Sequence, residues 1–282
     1  MGTPLGDFVR ARRDAVQPGE LGLPERGRRR SPGLRRSDLA ARAGVSVEYL
    51  TRLEQGRDRN PSPAVVNALA DALRLDRAER AHLRYLTKIT AGTCPSHPQP
   101  APAPREVRPA VLATLRLLEP GVAMVTNRLG DVLAHTPAFA ALTAGTGLLD
   151  ADAPNLTRYV FTDPRARALF PDWDDVADEQ AFDLWLGPSA SAFAWSTETL
   201  VPDAGEALAG RLDRHVVPHR GPLHLAHPSG PTLRLTRQTL ELPDDAQQLV
   251  VFLPADEPTE RALADLLHKA GQQPERRLRA IS

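Results

Sequence analysis

An α+β chain of two domains is what this sequence of 282 residues predicts: an all-α N-terminal domain of five helices, then a domain built on an antiparallel sheet. Three observations carry that reading. The segment Ser37–Arg57 has the apolar spacing of two short helices around a tight turn. Charge divides along the chain, with 18 Lys+Arg against 11 Asp+Glu in residues 1–90 and 17 against 24 in the remainder, although the formal net charge is +0. Beyond a Pro/Ala-rich stretch at 93–104, β-like runs bracketed by turn residues replace the helical period.

The elements follow in order. Leu5, Phe8, Val9 and Arg12–Arg13 give an initial amphipathic helix. Ser37 is placed to cap a second helix, whose buried face is Leu39, Ala40 and Ala43. Gly44 suits the left-handed stop, Val45 fills the core under the turn, and Ser46 caps the third helix. Leu50 and Leu53 continue the apolar stripe of that helix, which leaves Val47, Glu48, Thr51 and Arg52 on the outer face. Pro61-Ser-Pro63 opens a fourth helix carrying Val65, Val66, Leu69, Ala70, Leu73 and Leu75. Asp76 caps a fifth with Leu83, Leu86 and Ile89.

Helix pairs with a solvated outer face are common, so spacing alone does not separate a DNA reader from an ordinary helical hairpin. The surroundings favour DNA. Arg26, Arg28, Arg29, Arg30, Arg35 and Arg36 cluster just before the motif, and guanidinium groups suit phosphate oxygens. The expected interface has Ser46, Val47, Glu48, Thr51 and Arg52 at the major groove, with Arg28, Arg29, Arg30, Arg35 and Arg36 on phosphates. One such helix reads few base pairs, so a homodimer on a two-fold-related site of double-stranded DNA is expected.

In the second half, Val111, Leu115 and Leu118 give a helix ending at Pro120-Gly121. Val122–Val125 and Asp131–Ala134 flank Asn127–Gly130 as a hairpin. The expected boundaries are 1–90 for the helical domain, 91–106 for a linker, 107–270 for the second domain and 271–282 for a tail.

The helix order and the run Gly44-Val-Ser-Val-Glu-Tyr-Leu-Thr-Arg-Leu-Glu-Gln-Gly56 resemble the lambda-repressor-like, Xre-type DNA-binding domains. Leu5–Arg13, Gly22-Leu-Pro24, Arg28–Arg36 and Ala78–Leu83 look like the MmyB-like regulators of actinobacteria. The likeness continues through Asn155–Trp173, His227-Pro228, Leu233-Arg-Leu235 and Gln248–Phe252. It implies a PAS-like C-terminal domain, a small antiparallel sheet flanked by helices around an apolar cavity, that senses a fatty-acid-like ligand. The sequence departs from that pattern at the second hairpin strand, where His135 and Thr136 replace the region of an expected asparagine, and at Gly221–Leu225, which lacks a basic pair.

Sheet-facing apolar residues Val125, Leu133, Phe139, Leu233, Leu235, Val251 and Leu253 are candidates for a cavity wall, although such residues more often simply fill the core. His135, Arg158 and Tyr159 are the candidate polar groups, since a fatty carboxylate would favour a partly buried arginine. No cofactor and no metal are expected. His215, His219, His224 and His227 cluster, but Pro218 and Pro222 prevent them from sharing a helical face. No nucleophile elbow, Walker loop or dinucleotide fingerprint is present, so an enzyme is not expected. The single cysteine, Cys94, excludes an intramolecular disulfide. No signal peptide or long apolar run is seen, and the expected location is cytoplasmic, away from the membrane. The expectation is a ligand-responsive transcriptional regulator; the alternative is a DNA-binding regulator whose second domain is a dimerisation or protein-interaction module without a ligand.

Overall fold

The structure, a computed structural model, describes residues 3–22, 33–92, 105–185, 198–218, 221–242 and 245–271. The chain forms two compact units: Met1–Pro98 with Asp213–Val217, and Gln99–Leu212 with Pro218–Ser282.

The first unit holds the five expected helices: α1 (Pro4–Ala15), α2 (Arg36–Ala43), α3 (Val47–Glu54), α4 (Pro63–Ala72) and α5 (Arg77–Gly92), with a 3-10 turn at Pro18–Leu21. Thr3, Ser46 and Ser62 cap α1, α3 and α4 with their hydroxyls. Asp76 and Glu79 cap the start of α5 reciprocally, each side chain accepting the other's backbone N–H, at 2.8 and 2.9 Å. Ser37 is not the cap of α2. It lies inside the first turn, and Asp38 accepts the Arg35 N–H at 3.2 Å instead. The entry to α2 is fixed one residue earlier, where the fully buried Leu34 donates its N–H to the Arg13 carbonyl at 2.9 Å. Gly44, at φ 65°, ends α2, and the Val45 N–H closes the turn on the Ala40 carbonyl at 3.0 Å.

Leu5, Phe8, Leu34, Leu39, Leu50, Leu53, Leu69, Leu83 and Leu86 form the sealed centre of this unit. Each such side chain contributes about 1.5–3 kcal/mol on burial. Arg13, placed by its spacing on an amphipathic helix, is buried as well, because the Glu54 carboxylate meets it inside.

In the second unit, β1 (Val122–Asn127), β2 (Val132–His135), β3 (Leu223–Ala226), β4 (Thr232–Leu242) and β5 (Gln247–Pro254) form one antiparallel sheet in the order β2-β1-β5-β4-β3. The expected hairpin joins β1 to β2. Its Gly130 takes φ 85°, and an added Cβ would fall 2.2 Å from the Thr157 hydroxyl, so the turn and the following helix close on a glycine. Buried Thr136 ties β1 to the next helix, accepting N–H bonds from Ala123 at 3.1 Å and Phe139 at 3.3 Å.

The register sorts side chains by face. Val122, Met124 and Thr126 of β1 stand opposite Phe252, Val250 and Gln248 of β5, which in turn stand opposite Arg237, Thr239 and Glu241 of β4. Opposed residues share a face. That face is covered by α7 (Pro137–Leu142), α8 (Leu156–Thr162), α9 (Arg165–Leu169) and α10 (Trp173–Trp185). The other face carries Ala123, Val125, Leu133 and Leu249, packed on Val111 and Leu115 of α6 (Pro109–Leu117). A helix over residues 198–204, here α11, and α12 (Glu206–Arg214) pack Leu200, Leu208 and Leu212 on Leu184 of α10. The last helix, α13 (Glu257–Gly271), contributes Leu263 to the covered face.

Candidate functional site

In the first unit, α3 turns Val47 (40% exposed), Glu48 and Arg52 to solvent, with Thr51 half-buried beside them. Thr51 is held by a bond from its hydroxyl to the Val47 carbonyl at 2.8 Å. Arg52 lies 5.9 Å from the centre of the Tyr49 ring and 3.7 Å from the Asp58 carboxylate, with more than half of its side chain exposed. Ser46 spends its hydroxyl on the Tyr49 N–H at 3.0 Å. Arg35 is exposed at the start of α2. Arg36 is anchored: its Nε donates to Glu54 Oε2 at 2.7 Å, while 44% of the side chain stays exposed. Glu54 also takes Arg13 Nε at 2.7 Å, so one buried carboxylate joins α1, α2 and α3. Arg28, Arg29 and Arg30 lie outside the described residues. Exposed Arg42 on α2, and Arg57 and Arg59 after α3, add positive charge that the spacing argument passed over because they stand outside the arginine block and the outer face of α3.

In the second unit, the helix-covered face of the sheet encloses a cavity of about 270 Å³. Its walls grade from apolar to polar along the strands. Met124, Val250 and Phe252 of the sheet meet Phe139, Leu142 and Phe170 at the apolar end. One residue pair further along, Thr126 and Gln248 begin the polar end, joined by Arg237 of β4, Arg128 of the hairpin and Glu179, Gln180 and Asp183 of α10. Arg237 grips the Glu179 carboxylate with both terminal nitrogens, the longer contact 2.7 Å. Arg128 bonds Asp183 at 3.0 Å and Glu241 with its other terminal nitrogen. Pockets of this kind, apolar with a few placed polar groups, bind small molecules.

Residues 107–266 match the family model of the MmyB-like transcription regulator ligand binding domain, and residues 4–83 match a helix-turn-helix domain. The chain belongs to the MmyB-like transcription regulators. It is a DNA-binding regulator with a ligand-binding domain, and both matched families are regulator domains rather than enzymes. No curated protein gives a significant match. No helix among the described residues is long and apolar enough to cross a membrane.

Of the ten cavity candidates named from the sequence of this MmyB-like regulator, seven apolar and three polar, Phe139 lies in the wall. Val125 and Leu133 point to the opposite face of the sheet, against α6, because each strand's side chains alternate and Met124 takes the cavity side. Leu235 is fully buried in the core beside the cavity, on the covered face, without lining it. His135 lies 5.8 Å from the Phe139 ring in a tilted arrangement and does not line the cavity. Arg158 is on the surface, paired with Asp203 at 3.1 Å. Tyr159 is core, its hydroxyl donated to the Thr146 carbonyl at 2.8 Å, and burial pushes its pKa up to about 12. Leu233 is core, Val251 is half-buried, and Leu253 is exposed on the far face.

The described histidines of the regulator's later region do not converge. His224 bonds Asp172, His227 accepts the Ser229 N–H at 3.1 Å, and His215 belongs to the first unit. His219 and Cys94 lie outside the described residues. Among the described residues no three His, Cys, Asp or Glu side chains are grouped to hold a metal ion.

Proposed function

We propose that this chain is a sequence-specific regulator whose DNA affinity is set by a small ligand, largely an alkyl chain as in a fatty acid, held in the cavity of its second unit. The carrying observation is a cavity of about 270 Å³ lined by Met124, Phe139, Val250 and Phe252, space that a core built only for stability would fill. The size supports a medium-length chain, since pockets for larger, drug-sized ligands run from about 300 Å³ upward. The same cavity favours a sensor over a plain interaction platform.

On the output side, Val47, Glu48, Thr51 and Arg52 meet base edges, with Arg35, Arg36 and the Arg28–Arg30 run on phosphates. A homodimer in the cytoplasm doubles the short reading length of α3. The ligand changes DNA affinity only if it binds the DNA-competent and incompetent states unequally. The experiment has two steps: selection of bound sequences from a random DNA pool gives the operator, and titration of medium-chain amphiphiles into an operator-binding assay reads the coupling. Operator affinity that no amphiphile changes would rule out the sensor.

A further inference from the structure

Among the described residues at the polar end of the cavity, both arginines are already paired with carboxylates. Arg237 and Glu179 use each other's two terminal atoms, and Arg128 spends both terminal nitrogens on Asp183 and Glu241. What the described residues leave for a guest is uncharged. Gln180 and Gln248 line the same cavity and are 8% and 4% exposed. Gln180 Oε1 accepts the Thr157 hydroxyl at 3.0 Å, which leaves its amide N–H groups uncommitted among the described residues. Gln248 Nε2 donates to Glu241 at 2.9 Å, which leaves its carbonyl oxygen uncommitted among the described residues.

We propose that the cavity takes an amphiphile whose head is neutral and both donates and accepts, a primary amide or an alcohol on a medium-length alkyl chain, in preference to a free carboxylate. This rests on the ligand-binding reading above and specifies the head group. A carboxylate would meet the Gln248 carbonyl and the already paired carboxylates of Glu179 and Asp183, with no uncommitted cation among the described lining residues to offset its desolvation. An amide carbonyl accepts from Gln180 while its N–H donates to Gln248, and both buried glutamines are then satisfied. An ester fills only the first role.

The test is calorimetric titration of the full-length protein at pH 8 with decanamide, decan-1-ol, methyl decanoate and decanoate. The expected order is amide and alcohol first, then ester, with decanoate at least tenfold weaker than decanamide. Glu179→Gln removes one negative charge beside Arg237, and decanoate should then gain at least tenfold over its binding to the parent. Gln248→Leu should bring decanamide down to the level of the methyl ester. Decanoate binding the parent protein as tightly as decanamide overturns the head-group assignment and leaves the sensor intact. Absence of binding by all four overturns the sensor itself.

Discussion

The carboxylate of Glu54 holds the Nε–H of Arg36 at 2.7 Å from inside the helical core, where only 1% of the Glu54 side chain is exposed. Arg36, which we propose faces phosphate, is thereby braced by a buried acid that also binds Arg13. Removing the acid strands Arg13, which is 7% exposed at its side chain. Glu54→Ala should cost about 3–5 kcal/mol, the usual loss when one partner of a buried pair is deleted. Urea denaturation of the full-length protein checks it; a loss under about 1 kcal/mol would mean that the pair is not structurally required.

Arg52 and Arg35 should fail differently. Arg52→Ala removes the proposed base-reading group and should lower operator preference over random DNA by roughly 1–3 kcal/mol. Arg35→Ala removes a proposed phosphate contact, so affinity should drop for all sequences and the salt slope shrink by about one ion. Competition titrations at several salt concentrations separate the two. An Arg52→Ala protein with unchanged preference would displace α3 as the reading helix.

His82 and His215 meet at Nε2–Nε2 2.8 Å in the first unit, beside Phe8 and the Arg12 guanidinium, which itself pairs with Glu79. Burial, then the charge of Arg12, pushes the His82 pKa down to about 3; burial, then His82 and Arg12, holds His215 well below its ordinary value. The unfolded histidines titrate near about 6.5, so below that pH the unfolded chain takes up protons that the folded unit refuses. Stability is full above about pH 6.5 and falls by up to about 1.4 kcal/mol per pH unit per histidine as pH drops. Melting temperature should decline between pH 6.5 and 5, and His82→Leu should flatten that decline. Equal slopes in parent and variant would show that the pair does not drive it.

Gly130→Ala should destabilise the second unit by roughly 1–3 kcal/mol, through its positive φ and the clash with Thr157. The cavity hairpin moves with it, so the melting temperature and decanamide affinity should fall together.

The helix-turn-helix was legible because its signals are local: a glycine stop at Gly44, a serine cap at Ser46 and an apolar stripe within one turn of each. The cavity was not, for reasons visible in β1. All of Val122–Asn127 is buried, so no polar alternation marks which of Met124 and Val125 faces the helices. Its polar end comes from Glu179, Gln180 and Asp183, which in sequence look like the solvated face of a helix. Their partners Arg237 and Arg128 lie 58 and 55 residues away, beyond any local pattern. Arg13 and Glu54 escaped notice in the same way, 41 residues apart.

The assignment of Asp213–Val217 to the first unit has a practical edge. The backbone enters and leaves that unit more than once, so the output half is not a bead that a single cut would release. A fragment ending at residue 92 would lack the His215 ring that packs 5.1 Å from Phe8, and Val217 from the rim of the same core. Trimming this regulator to its first third would therefore yield a peptide with an open seam, and DNA affinities measured on it would describe a damaged reader.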